Sequence, residues 1–305
     1  MISLKQLRYL DAVARFGHFG KAAAHCGISQ PALSMQIQEL EAALGLCLVE
    51  RRSRGASLTA PGLEIAARAA RVLAEVRDIS DVALAFSGLL AAPIRFGAIP
   101  TVAPYVLPPL LSLIRTRHPS LELRVRETHT DQLLVELADG RLDVLLLALP
   151  LANPDLATLA LREDRFLLAV PPGHTIRGPV RATPELIRND RLLLLEEGHC
   201  LRDQALAVCG LRRAEAIDTF GATNLTTIVQ LVASGLGLTF LPEISLGLEC
   251  RHADIRVIRF DEPEPTRTLG LAWRASSPRS ADFEALGELV REALPAPLDP
   301  ARPFP

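Results

Sequence analysis

Five of the 305 residues are cysteines: Cys26, Cys47, Cys200, Cys209 and Cys250. A cysteine meets oxidants as its thiolate, and the ordinary thiol pKa near 8.5 falls beside cations or at a helix N-terminus. Cys200 follows Gly198-His199 and opens the amphipathic-looking segment Leu201–Val208, so the spacing predicts a helix N-terminus at that thiol, with Arg202 close in sequence. An oxidised thiol of this kind becomes a sulfenic acid, which condenses with a second thiol. Two cysteines in an apolar segment are just as compatible with inert core packing, and the residue types leave both readings open. Cys26 is expected to be buried at a turn between helices and Cys47 packed near the basic hairpin that follows them, and Cys250 has no recognisable partner. No cysteine pair has C-x-x-C zinc spacing, so neither a structural metal nor a cofactor is expected.

The elements around Cys200 alternate between strands and helices. Strands are predicted at Ile94–Ile99, Leu121–Val125, Val144–Leu149, Phe166–Val170, Leu192–Leu195, Leu238–Leu241, Ile255–Phe260 and Leu269–Trp273. Helices are predicted at Val106–Arg117, Gln132–Gly140, Leu225–Ser234 and Asp282–Leu294. This is an α/β region with mixed sheets, long enough for two sub-domains with a cleft between them. The tail after Leu294 is Pro-rich and predicted to be disordered.

The first 90 residues have a different pattern. Leu4, Leu7, Leu10 and Ala14 suggest one helix face, and Lys21–His25 a short second helix ended by Gly27. Ser29-Gln30-Pro31 starts a third, with a side-chain cap and a proline in the first turn. Its Leu33, Ile37, Leu40 and Leu44 form a buried face, and Pro31, Ser34, Met35 and Gln38 lie opposite. Two helices joined by a short Gly-containing turn, the second with a small polar face, form a helix-turn-helix. Ser29, Gln30, Pro31, Ser34 and Gln38 would face a major groove, and Arg51, Arg52 and Arg54, clustered in a short loop, would reach phosphates. A solvated face on a generic helical domain is the plainer alternative. Ile65, Ala69, Val72, Val76, Ile79, Ala83 and Phe86 then make a heptad seam suited to a partner helix.

Composition adds little. Hydrophobic residues are 49% and charged residues 22%, which is ordinary for a globular protein, and the first 90 residues hold ten Lys and Arg against eight Asp and Glu. The start has no leader-like pattern, and the longest apolar stretch, Val144 to Ala152, is short of a membrane span, so a cytoplasmic protein is expected.

Several motifs together carry a resemblance. Leu7-Arg8-Tyr9-Leu10, Gly20-Lys21-Ala22-Ala23, Ser29-Gln30-Pro31-Ala32-Leu33-Ser34, Leu40-Glu41, Leu44-Gly45, Glu50-Arg51 and Leu58-Thr59-Ala60-Pro61-Gly62 resemble the LysR-type transcriptional regulators. Ile99-Pro100-Thr101, Glu127-Thr128-His129-Thr130, Gly198-His199-Cys200-Leu201-Arg202-Asp203-Gln204 with Cys209 nine positions after Cys200, and Pro265-Thr266-Arg267-Thr268 are similar to the peroxide-sensing OxyR branch of that family.

The resemblance implies an α+β and α/β multidomain protein. A winged helix-turn-helix would occupy 1–60 and a linker dimerisation helix 61–90. A regulatory domain like periplasmic binding proteins would occupy 91–305, with one sub-domain at about 91–163 and 268–300 and the other at about 164–267. It also implies a hydrogen-peroxide effector, promoter DNA and RNA polymerase as partners, a homodimer through the linker, and a homotetramer built as a dimer of dimers. Cys200 would be the peroxidatic cysteine and Cys209 the resolving one, with Thr101, Thr130, His199 and Arg267 lining the peroxide pocket. Val49 stands where the family usually has Phe, Cys47 is an unusual neighbour, and Gly221 stands where many relatives carry Arg.

Geometry sharpens that expectation. In a helix, nine residues at ~1.5 Å rise separate Cys200 and Cys209 by ~13 Å on opposite faces, whereas a disulfide needs Cα atoms about 4.4–6.8 Å apart. Oxidation must therefore remodel the segment. Three other readings compete. A LysR-type regulator answering a small metabolite would not need this cysteine pair. A thiol peroxidase would need neither helix-turn-helix nor linker. A solute-binding protein would not be fused to either.

Overall fold

A computed structural model describes residues 1–52, 55–85, 88–174, 181–183, 187, 190–208, 222–251 and 253–297. Two compact units emerge, Met1–Phe86 with Val135–Leu142 and Ser87–Leu134 with Asp143–Pro305.

In the first, three helices, α1 (Leu4–Phe16), α2 (Phe19–Cys26) and α3 (Gln30–Leu44), each end at a glycine in the left-handed conformation. Ser3 and Gln6 form a reciprocal capping box on α1. His18 caps α2 by accepting from the Gly20 N–H, and Ser29 caps α3 by accepting from the Ala32 N–H. The core joins Leu10, Val13, Ala22, Leu33, Ile37, Leu40 and Leu48. The predicted α1 face was wrong at its ends: Leu4 and Ala14 are exposed, and Gln6, Leu10, Ala12 and Val13 are buried. Two successive steps of three residues fall about 120° short of two full turns, so Leu4 and Leu10 cannot share a face.

Strands β1 (Val49–Arg52) and β2 (Gly55–Leu58) pair antiparallel as the wing. The Glu41 carboxylate fixes its entry by accepting from the N–H groups of Leu48 (2.7 Å) and Val49 (3.1 Å). Thr59 donates its hydroxyl to the Cys47 carbonyl and accepts from the Gly62 N–H. A Cβ on Gly62 would lie 2.0 Å from the Leu48 carbonyl oxygen, so only glycine fits. Val49 is buried in this core. Cys26 is buried as expected, but Cys47, expected to pack near the wing, is exposed just before it.

Helix α4 (Ala60–Ala85) follows. Along the heptad seam Ala69 is buried, while Val72, Val76 and Ile79 are 43%, 37% and 71% exposed in the single chain. Beyond it Leu89 and Leu90 form a turn, and Phe86 lies outside the described residues.

The second unit is built on β3 (Ile94–Ala98), β4 (Leu123–Glu127), β5 (Val144–Leu149), β6 (Leu156–Val170), β7 (Thr239–Pro242), β8 (Arg256–Arg259) and β9 (Thr266–Arg274). Their order is β4-β3-β5-β9-β6-β7, with β8 also on β6. Strand β3 runs parallel to β4 and β5, whereas β9 is antiparallel to β5 and β6. Helices α5 (Ala103–Arg117), α7 (Cys200–Val208), α8 (Leu225–Ala233), the short α9 (Leu246–Glu249) and α10 (Ser280–Ala293) complete it, with the first half of α6 (Thr130–Ala138), whose residues from Val135 on belong to the first unit.

Most predicted elements are present with shifted ends, and two need correction. Leu192–Leu195 makes a single bridge, Leu192 to Leu238, rather than a strand. Strand β6 is three times its predicted length: Leu156–Arg165 pairs with β9, and Phe166–Val170 pairs with β7 and β8. Among the described residues no helix is long and apolar enough to cross a membrane.

Candidate functional site

Cys200 is the first residue of α7 and Thr130 the first of α6, so both side chains sit at helix starts. Thr101 lies in the turn between β3 and α5, and Arg267 near the start of β9. Strand register sets Arg267 directly opposite Asp164 of β6. The pair is a salt bridge with both side chains fully buried, at 2.9 Å. Asp164 also accepts from the Ile244 N–H at 3.1 Å. Held this way, the Arg267 guanidinium donates to the Thr101 hydroxyl (2.9 Å) and to its carbonyl (3.2 Å), with the Phe166 ring 5.7 Å away. Thr101, His199 and Arg267 are buried and Cys200 is half-buried.

The thiol electrostatics correct the expectation of a lowered pKa. Burial pushes the Cys200 thiol above its ordinary value. The Arg267 charge, a hydrogen bond with Thr130, and the backbone N–H groups of Leu201 and Cys200 itself pull it partly back. Arg202, close in sequence, donates to the Leu195 carbonyl at 3.1 Å. Burial, reinforced by the neighbouring His129 and opposed by Glu196, lowers His199 to about 4, so its imidazole is neutral at neutral pH.

Thr101, Thr130, Cys200 and Arg267 are thus linked by direct hydrogen bonds or charge. His199 lines a cavity of about 430 Å³, together with Tyr105, His129, Glu196, Asn224 and Glu249 among others. On its wall the Tyr105 hydroxyl donates to Glu249 at 2.7 Å, and Thr226 donates to the same oxygen at 3.2 Å. Cys209 and Gly221 lie outside the described residues. Cys250 is half-buried, its thiol pushed up to about 11 by burial and by Glu249.

Sequence reading missed Asp164, which holds Arg267, and the facing groups His129, Glu196 and Glu249. The one signal for Asp164 was the charged run Arg162-Glu163-Asp164-Arg165 before an apolar strand.

In the first unit, Gln30, Pro31 and Gln38 are exposed on α3, Ser34 is half-buried, and exposed Ser29 spends its hydroxyl on the cap. Arg51 and Arg52 lie on β1, their side chains outside the described residues, and so does the whole of Arg54.

A winged helix-turn-helix on a long helix, followed by a ligand-binding α/β unit, defines a class of transcriptional regulator. Residues 4–63 match the model of the bacterial regulatory helix-turn-helix proteins of the lysR family, and residues 87–295 match that of the LysR substrate binding domain. The chain belongs to the LysR family, a family of transcriptional regulators rather than enzymes. Within it the relatives are of the OxyR branch. A probable hydrogen peroxide-inducible genes activator of Streptomyces viridosporus is 45% identical over 96% of this chain and 94% of its own length. A full-length OxyR variant of Pseudomonas aeruginosa has a TM-score of 0.78 at 36% identity, covering 95% of this chain and 98% of that one. A mutant OxyR of Corynebacterium glutamicum, solved with hydrogen peroxide bound, has a TM-score of 0.67 at 33% identity, covering 95% of this chain and 92% of that one.

Proposed function

We propose that this protein is a cytoplasmic hydrogen-peroxide sensor that converts oxidation of Cys200 into a change in promoter binding and transcription of antioxidant genes. The observation that carries the proposal is the Cys200 thiol at the head of α7, hydrogen-bonded to Thr130 and beside an Arg267 pinned on Thr101. The Thr101 and Thr130 hydroxyls and the Arg267 guanidinium offer donors and acceptors for two peroxide oxygens. The Cys200 thiolate attacks one oxygen. An S–O bond forms, the O–O bond breaks, and the leaving hydroxide takes a proton to become water. The thiolate fraction is small at neutral pH, but a thiolate of higher pKa is the stronger nucleophile. The Cys209 thiol then attacks the sulfenic sulfur, expelling a second water and closing a disulfide.

That closure cannot leave α7 intact, wherever Cys209 sits. Cys200 and Val208 are eight residues apart in one helix, about 12 Å along its axis. Cys209 is one virtual bond of 3.80 Å beyond Val208. The Cα atoms of the two cysteines are therefore at least about 8 Å apart, more than the ~6.8 Å a disulfide tolerates. Oxidation unwinds the end of α7, giving a switch with two discrete states.

On DNA, Ser29, Gln30, Pro31, Ser34 and Gln38 would face the major groove, with Arg51, Arg52 and Arg54 on phosphates. The exposed Val72, Val76 and Ile79 support dimerisation through α4, and two dimers would form the tetramer. RNA polymerase is the further partner, by likeness to relatives named as gene activators. The linker region would span 61–90, and the regulatory region would divide into 91–163 with 268–300, and 164–267. The two-part pairing of β6 supports that division.

The test is non-reducing mass spectrometry of peptides spanning 200–209 after brief stoichiometric peroxide, beside Cys200→Ser. A Cys200–Cys209 linkage absent from the mutant is the expected result. Two free thiols would overturn the proposal and leave the cavity beside His199 as a metabolite site.

A further inference from the structure

We propose that His129, Glu196 and His199 form a binding site for a divalent transition cation of the zinc type, separate from the thiol chemistry. His129 immediately precedes α6, while Glu196 and His199 lie in the segment leading into α7, about seventy residues later. One donor atom from each of the three lies within 4.8 Å of the others. The His129 Nε2 and Glu196 Oε1 atoms are 4.0 Å apart, and the two imidazoles meet edge-to-face with centroids 4.3 Å apart.

One observation points to a ligand rather than to simple packing. His199 is 3% exposed, yet its Nε2 is buried with no hydrogen-bond partner. Buried polar atoms are nearly always satisfied, so an orphaned ring nitrogen in a cluster of metal-ligating groups calls for an explanation, an ion among them. A Cβ on Gly198, which is held at φ +96°, would lie 3.3 Å from His129 Nδ1, so that nitrogen sits against backbone and the Nε2 near Glu196 is the His129 donor.

The donor chemistry selects the ion. Two imidazoles and one carboxylate suit Zn²⁺ and its first-row neighbours, and are too few oxygens for Ca²⁺ or Mg²⁺. Three protein ligands leave one tetrahedral position for water. Bonds of about 2.0–2.2 Å at tetrahedral angles place donors roughly 3.4 Å apart, so donors that lie within 4.8 Å of one another must close by at most about 1.4 Å. His129 and Glu196 are 35% and 39% exposed at their side chains and have room to turn. The expectation of no metal came from cysteine spacing; this site uses no cysteine, and its ligands are distant in sequence. A bound cation would tie the segment before α7 to the start of α6.

The test is titration of the reduced full-length protein with Zn²⁺ alone, in competition with a chromophoric chelator, beside His129→Ala, Glu196→Gln and Cys200→Ser. The proposal expects one Zn²⁺ per chain, an affinity at least tenfold weaker in His129→Ala and Glu196→Gln, wild-type affinity in Cys200→Ser, and rescue by His129→Asp. Zinc-edge absorption should show only nitrogen and oxygen neighbours. Wild-type affinity in both His129→Ala and Glu196→Gln would overturn the proposal. So would loss of binding in Cys200→Ser, or a sulfur neighbour near 2.3 Å. None of these outcomes bears on the peroxide reading, which is tested by the linkage between residues 200 and 209.

Discussion

Replacing Asp164 with Ala removes the carboxylate that neutralises the Arg267 guanidinium. The Arg267–Asp164 bridge is fully buried on both sides. Breaking such a pair from one side strands a charge in low dielectric, which costs about 3–5 kcal/mol. Removing both charges with residues of similar volume is far milder, often near neutral. Asp164→Ala should therefore lower the stability of the second unit by about 3–5 kcal/mol, whereas Asp164→Leu with Arg267→Met should sit within about 1–2 kcal/mol of wild type. Urea unfolding of the full chain, followed by the fluorescence of Trp273 in β9, reads both values. The same variants separate fold from chemistry. Arg267→Met deletes the cation that draws the Cys200 thiol down, and each unit of pKa rise costs a factor of ten in thiolate. Peroxide oxidation should slow in the stable double variant even though its fold is retained. An Asp164→Ala protein within about 1 kcal/mol of wild type, or a double variant as unstable as the sum of its parts, would refute the reasoning.

Because burial holds the Cys200 thiol above its ordinary range, the thiolate grows with pH, and the oxidation rate should climb about tenfold per unit from pH 6 to 8; stopped-flow rates that level off near pH 7 would contradict this. Ile79→Glu puts a charge on a position of the α4 seam that is 71% exposed and should shift the protein toward monomer in sedimentation at micromolar concentration; an unchanged dimer would move the interface elsewhere. Arg51→Ala should weaken promoter binding and reduce the salt slope by about 0.9, the share of the one phosphate it no longer neutralises; identical affinity and slope would remove the wing from the DNA interface.

Much of this protein was legible in local sequence. The cap at Ser29, the helix-ending Gly27 and the α3 face Leu33, Ile37 and Leu40 depend on contacts within one or two turns, and periodicity reports such contacts directly. The Gly198-His199-Cys200 run likewise places the thiol at a helix start by residue type alone, and α7 begins there. What failed locally failed for a geometric reason, as with Leu4, where two successive apolar steps of three drift off the face.

Tertiary structure decided the rest. The long β6 was hidden because its first part is amphipathic and charged, and only pairing with β9 makes it a strand. That pairing sets Asp164 against Arg267 across about a hundred residues, and so fixes the cation beside Cys200. The direction of the thiol shift was also beyond the sequence, since motif and helix start argue for a lowered value while burial, a property of the whole fold, raises it. The sequence determined which groups are present and which local elements carry them. The fold determined which of them meet and how much water is left between them, and those two quantities set their chemistry.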